Sequence, residues 1–189
     1  MNALLMSHEL LVLALGLGVL LADLWLPVHA KRQLGYAAAV GLGLILVFSF
    51  AAVHLASGET RLAFNDMYLL DGLALFFKRF FLLAALLVML MAVEFSDQFH
   101  SGVSEFYSLT LFALLGMLFA ASAGDFALLF VSLELITVTF YVLNSFQRGR
   151  VASLEAGVKY LVIGALSTGS ESPIASASCS KRNWSSGVR

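Results

Sequence analysis

A chain of 189 residues that is 60% hydrophobic and only 12% charged carries about half the charge of an ordinary soluble domain. With a mean hydropathy of +0.92 it reads as an integral membrane protein, which excludes a water-soluble enzyme. A net charge of −1 excludes a basic binder of nucleic acid or of membrane surfaces. The single cysteine, Cys179, excludes a disulfide framework or a cysteine-based metal site.

A spanning helix needs about 20 mostly apolar residues, and several runs meet that length. The first covers residues 4–26 and ends at Pro27, with Asp23 in its last turn facing the headgroups. No Lys or Arg precedes it, and it is long for a signal sequence, so it reads as a membrane span. The second covers 34–56 and holds Gly35, Gly41 and Gly43, small residues that let helices approach closely. A polar connector with Glu59, Arg61, Asp66 and Asp71 follows. The third span covers 72–93. Lys78 and Arg79 in its second turn read as snorkelling to the nearby surface rather than facing a polar interior. The next loop carries Glu94, Asp97, His100 and Glu105, with the histidine taken as solvated.

The fourth span covers 106–123. Gly124 and Asp125 then make a tight turn, so the fifth span, 126–146, is expected as its antiparallel neighbour. A basic loop with Arg148 and Arg150 leads to a sixth span starting near Ser153, a plausible N-cap, with Glu155 in its first turn. Beyond Leu166 the text turns serine-rich and contains Pro173. Residues 1–169 therefore read as a membrane domain, cut within its sixth span. Residues 170–189 read as a polar tail, foreign or out of frame. The other reading is a genuine polar tail after a short sixth segment. Lys31, Arg32, Arg148 and Arg150 lie on one side, against Arg61, Lys78 and Arg79 on the other. That bias places the basic loops in the cytoplasm and the N-terminus outside.

The expected fold class is all-α, a polytopic transmembrane helix bundle of five full spans and an incomplete sixth. Within it, Glu134 falls close to the midpoint of the fifth span. A carboxylate at that depth is costly unless protonated, paired or hydrated, and such groups are functional by default. Thr137, Tyr141, Asn144 and Ser145 follow it along one stripe, which is expected to face helices or water rather than lipid. The bland alternative is a carboxylate that only locks helix packing. Lys159 lies shallower in the sixth span, where snorkelling is the bland alternative to a functional charge, and Glu155 one turn earlier can pair with it. Glu155 reads as a helix-start residue or as a carboxylate taking up protons from the cytoplasm. His8, His29, His54 and His100 are scattered without ligand spacing, so no metal site is expected. The glycine pairs at 16/18 and 41/43 lie inside apolar spans and are not phosphate loops.

Glu105-Phe106-Tyr107, Leu133-Glu134-Leu135 and Ser153-Leu154-Glu155-Ala156-Gly157-Val158-Lys159-Tyr160, with the segment DGLALFFKRF from Asp71, resemble the antiporter-like subunit N of bacterial proton-pumping NADH:quinone oxidoreductases (respiratory complex I). The resemblance is specific from Asp71 to Leu166. It implies a membrane-arm subunit that contributes to proton translocation coupled to electron transfer from NADH to quinone. It implies partners among the other membrane-arm subunits, and a place in the bacterial inner membrane. NADH, FMN, iron–sulfur clusters and quinone would belong to other subunits, with no cofactor on this chain. Glu134 matches the family's fifth-helix glutamate and Lys159 its sixth-helix lysine, which implies that both serve its proton relay. The family's lysines in the seventh, eighth and twelfth helices have no counterpart here, so the isolated chain is expected to be inactive. A related sodium/proton antiporter or membrane-bound hydrogenase subunit, and a non-transporting remnant, are the competing readings.

Overall fold

The computed structural model describes residues 6–25, 31–53, 61–63, 67–94, 103–146 and 153–167. It contains helices α1 (Ser7–Trp25), α2 (Lys31–Val53), α3 (Gly72–Glu94), α4 (Val103–Ala121) and α5 (Phe126–Asn144), with short strands β1 (Arg61–Ala63) and β2 (Tyr68–Leu70). A sixth helix, α6, occupies residues 153–167. The chain divides into two units, Met1–Phe140 and Tyr141–Arg189. The polar tail at 170–189 lies outside the described residues.

Among the described residues, five helices are long and apolar enough to cross a membrane. The described part of α6 is shorter than the ~20 residues a spanning helix needs. The expected all-α bundle of five spans is therefore found, with one addition. Strands β1 and β2 form an antiparallel hairpin inside what reads in sequence as a plain polar connector, pairing Arg61 with Leu70 and Ala63 with Tyr68. The hairpin docks on the α4–α5 turn: Leu69 N donates to Ser122 O (2.9 Å) and Gly124 N donates to Met67 O (2.9 Å). It leads directly into α3, whose first turn is capped by Asp71, the carboxylate accepting from Ala74 N at 2.7 Å.

In the first unit α4 packs against α1, α2 and α3, and α2 against α1 and α3. On α3 the buried residues are Ala74, Lys78, Leu82, Ala85, Met89 and Val93, steps of three and four that keep one face inward. Val12, Leu42, Leu111, Leu114 and Leu118 meet that row in one core. The outward face of α3 carries exposed Leu73, Phe76, Phe80, Leu83, Leu87 and Met91, the apolar exterior expected of a bundle in lipid.

Glycines decide how closely α2 approaches. A Cβ on Gly35 would stand 2.6 Å from both Tyr107 Cζ and Val93 Cγ2, whereas at Gly43 nothing lies within 4 Å. Of the small residues singled out in the second span, Gly35 is therefore a packing residue and Gly43 is not. Gly35→Ala is expected to destabilise the chain by about 1–3 kcal/mol through overpacking. Gly43→Ala is expected to stabilise it by about 0.5–1 kcal/mol through helix propensity. Thermal unfolding of the two variants in lipid nanodiscs, followed by helix circular dichroism, checks the opposite signs.

Candidate functional site

Glu134 is the ninth residue of α5, one short of its midpoint, and is half-buried. Its backbone carbonyl accepts from the Thr137 hydroxyl at 3.0 Å. Among the described residues its carboxylate makes no hydrogen bond or ion pair. The buried polar residues of α5 are instead Ser132 and Thr139, whose hydroxyls donate back to the carbonyls of Leu128 (2.6 Å) and Leu135 (2.7 Å). They lie on the face that meets α4, where a Cβ on Gly116 would stand 2.7 Å from Ile136 Cγ1 and 3.1 Å from Ser132 O. Glu134 is two residues from both Ser132 and Ile136, about 200° around the helix, so its stripe points away from α4.

In the second unit that same stripe finds a helix. Tyr141 and Ser145 pack on α6: the Tyr141 hydroxyl lies directly over Gly164, and a Cβ on Gly157 would stand 2.7 Å from Ser145 Cβ. Tyr141 and Tyr160 meet edge to face with centroids 5.4 Å apart. Ser153 ties the start of α6 to the end of α5, its hydroxyl donating to Asn144 O at 2.7 Å. Lys159 and Glu155 form the expected one-turn pair, Nζ to Oε1 at 2.6 Å, with side chains 70% and 61% exposed. Lys159 lies about 200° from Gly157, on the side of α6 turned away from Tyr141 and Ser145. Each unit thus carries its own ionisable groups, Glu134 in the first and the Glu155–Lys159 pair in the second.

A constellation that the sequence reading did not assemble lies at the other end of the chain. Lys78 is wholly buried and faces a polar interior. This corrects the snorkelling assignment: Lys78 sits on the inward row of α3 between Ala74 and Leu82. Its ammonium meets Glu9 Oε1 at 2.6 Å, the two side chains being 0% and 1% exposed. Lys78 Nζ also donates to the Tyr68 hydroxyl at 2.6 Å, and that hydroxyl donates to Glu9 Oε1 at 3.0 Å. The ammonium stands 4.9 Å from the centre of the Tyr68 ring, within cation–π range. The N-terminal turns of α1 and α3 lie at the same end of the bundle, which explains the meeting. Glu9 is in the first turn of α1 and Lys78 in the second turn of α3, and the hairpin brings Tyr68 over both. The signal available in sequence was Glu9 itself, a carboxylate inside the first apolar run with a cation at the matching depth of the third.

Tyr68 lies outside the spanning helices. Burial holds its phenol well above the ordinary tyrosine range, and the charge of Glu9 pushes it the same way. It therefore stays a neutral hydroxyl, able to accept from Lys78 while donating to Glu9. A raised folded-state pKa means that the unfolded chain loses this proton first as pH rises. The stabilisation is complete below about pH 10, the free tyrosine value, and drains away above it. Tyr68→Phe is expected to cost about 1–3 kcal/mol at neutral pH and to flatten the alkaline fall in stability. Melting temperatures measured from neutral pH to above pH 10 read both effects.

No protein-family model matches the chain. It is 40% identical over 169 residues to NADH-quinone oxidoreductase subunit N of Heliobacterium modesticaldum, covering 89% of this chain and 35% of the relative. Subunit N of Desulfitobacterium hafniense is 40% identical over 164 residues, 87% of this chain and 33% of the relative. F420H2 dehydrogenase subunit N of Methanosarcina mazei is 35% identical over 167 residues, 86% of this chain and 34% of the relative. Among solved structures, a chain of respiratory complex I from Thermus thermophilus superposes with a TM-score of 0.63 at 30% identity, covering 86% of this chain and 34% of that one. In sequence the chain is similar to subunit N of the NADH-quinone oxidoreductases and in fold to a chain of respiratory complex I, and it spans about a third of the length of those relatives.

Proposed function

We propose that this chain is a piece of a membrane-arm subunit of a proton-translocating quinone oxidoreductase, and that Glu134 carries protons in it. The observation that carries this reading is the likeness to subunit N over 89% of the chain. The place of Glu134 near the middle of α5, on the stripe that continues into Tyr141 and Ser145, supports its role. A half-buried carboxylate at mid-helix that makes no hydrogen bond or ion pair among the described residues fits a proton carrier better than a packing residue. Lys159 and Glu155 act on the cytoplasmic side in this reading, Lys159 as a polarising or proton-relay ammonium and Glu155 as a carboxylate at the proton entry. The chain works as a non-redox part of a translocase. NADH, FMN, iron–sulfur clusters and quinone are handled by other subunits, and its partners are the neighbouring membrane-arm subunits. The likeness to bacterial relatives favours an inner membrane location, and the basic loops favour an N-terminus in the periplasm. The likeness to an F420H2 dehydrogenase subunit supports leaving the choice of electron donor to those other subunits.

Replacement of subunit N in a bacterial host by a full-length subunit carrying this sequence tests the reading. The expected result is assembly into the complex and quinone-linked proton uptake in inverted vesicles. A complex that assembles, oxidises NADH and moves no protons would contradict it.

A further inference from the structure

Around the Glu9–Lys78 pair lies a set of buried polar atoms without partners among the described residues. Among the described residues, Glu9 Oε2, both ring nitrogens of His8, Ser49 Oγ and Arg79 Nε have no hydrogen-bond partner. His8 is 5% exposed, Glu9 1% and Ser49 0%. They form one neighbourhood. His8 adjoins Glu9 on α1 and lies within electrostatic reach of Lys78 and Arg79. Its ring is 6.0 Å from that of Phe48, next to Ser49. Arg79 Nη2 reaches Ser49 O at 3.4 Å, and the guanidinium stands 4.5 Å over the Phe50 ring.

Two physical arguments say what occupies this neighbourhood. The first is the cost. Buried polar groups in folded proteins are almost all hydrogen-bonded, and each orphan costs about 1–3 kcal/mol. Several together would consume a stability that totals only about 5–15 kcal/mol. The second is the inventory of donors and acceptors. Glu9 Oε2 only accepts, Arg79 Nε only donates, and His8 and Ser49 need one partner of each kind. A metal ion does not suit the set, because Arg79 and the Lys78 ammonium place two positive charges beside it. Water suits it, since each molecule both donates and accepts and needs two to four polar partners.

We propose that the α1–α2–α3 end of the bundle is a binding site for ordered water, a cluster that joins Glu9 Oε2 to His8, Ser49 and Arg79. The water hydrates the outer oxygen of Glu9 while Lys78 and Tyr68 hold the inner one, which keeps the buried pair ionised. Tyr68 of β2 covers one side of the site and Phe48 and Phe50 of α2 line another. This site is separate from Glu134 and does not rest on the proposed function, since its occupancy is a property of the chain alone.

Water-edited solid-state NMR on the full chain in lipid bilayers tests it directly. The chain carries labelled Glu, Lys, Leu and Met, and a labelled His8 isolated by replacing His29, His54 and His100 with Gln. Polarisation from water is expected to reach the His8 ring nitrogens and the Glu9 carboxyl several-fold faster than the equally buried side chains of Leu82 and Met89. Ser49→Val, which exchanges a hydroxyl for a methyl of similar bulk, is expected to slow the transfer to His8 several-fold while helix content holds. Transfer to His8 and Glu9 no faster than to Leu82 and Met89 overturns the proposal. So does transfer that is unchanged by Ser49→Val in a chain that keeps its fold.

Discussion

Lys78→Met, introduced alone, is expected to lower the stability of the chain by about 3–5 kcal/mol. Methionine keeps the length of the side chain and fills the same position in the α3 core row, so little of the loss arises from a cavity. What is lost is the cation facing Glu9 at 2.6 Å in a setting where the two side chains are 0% and 1% exposed. Glu9 then keeps one donor, Tyr68, and its charge is buried without compensation. Glu9→Gln alone carries a similar penalty for the opposite reason, leaving the ammonium unmatched. The double variant Glu9→Gln/Lys78→Met is expected to lose much less than the sum of the two, because an uncharged pair of similar volume has no charge to solvate. Chemical or thermal unfolding of the four chains in nanodiscs closes the cycle. Strict additivity, or a single-variant loss under about 1 kcal/mol, the range of an exposed pair, would show that the pair does not hold α1 to α3.

Glu134→Gln in a full-length subunit should have the opposite profile, a large functional effect with a small structural one. The carboxylate is half-buried and unpaired among the described residues, so an isosteric amide removes no contact and stability is expected to stay within about 0.5 kcal/mol. Proton transfer through α5 is expected to slow on the order of a hundredfold, the lower range for loss of a positioned acid–base group. Proton uptake by inverted vesicles, measured against NADH or quinone turnover, reads this. Lys159→Ala is expected to lower proton uptake too. Its salt bridge with Glu155 joins two exposed side chains, so its effect on folding is small. An unchanged ratio of protons to electrons in Glu134→Gln would remove Glu134 from the relay.

The helices were legible because each is a long apolar run between polar breaks, and their observed ends fall within a few residues of the sequence reading. The hairpin was not. Arg61–Ala63 and Tyr68–Leu70 are each three residues long, too short for alternation to register, and pairing with the α4–α5 turn helps define them. The depth of Glu134 was legible from counting along α5. Its facing was legible only in part. Thr137, Tyr141 and Ser145 share its stripe, yet the polar residues buried against α4 are Ser132 and Thr139. Hydroxyls that bond back to their own helix, as these do, can be buried on an apolar face at little cost.

Composition and the spacing of charges alone determined that the chain lives in a membrane, which of its described helices can cross, and that Glu134 falls near the middle of one of them. Those follow from the cost of placing polar groups in hydrocarbon. Tertiary structure decided which side of each helix is inside. In a soluble protein the apolar stripe names the inner face. Here lipid and protein core are equally apolar, so α3 shows Leu and Phe on both sides and its hydropathy carries no direction. Only the packing of α3 on α2 and α4 turned Lys78 inward to Glu9, and only the hairpin placed Tyr68 over both.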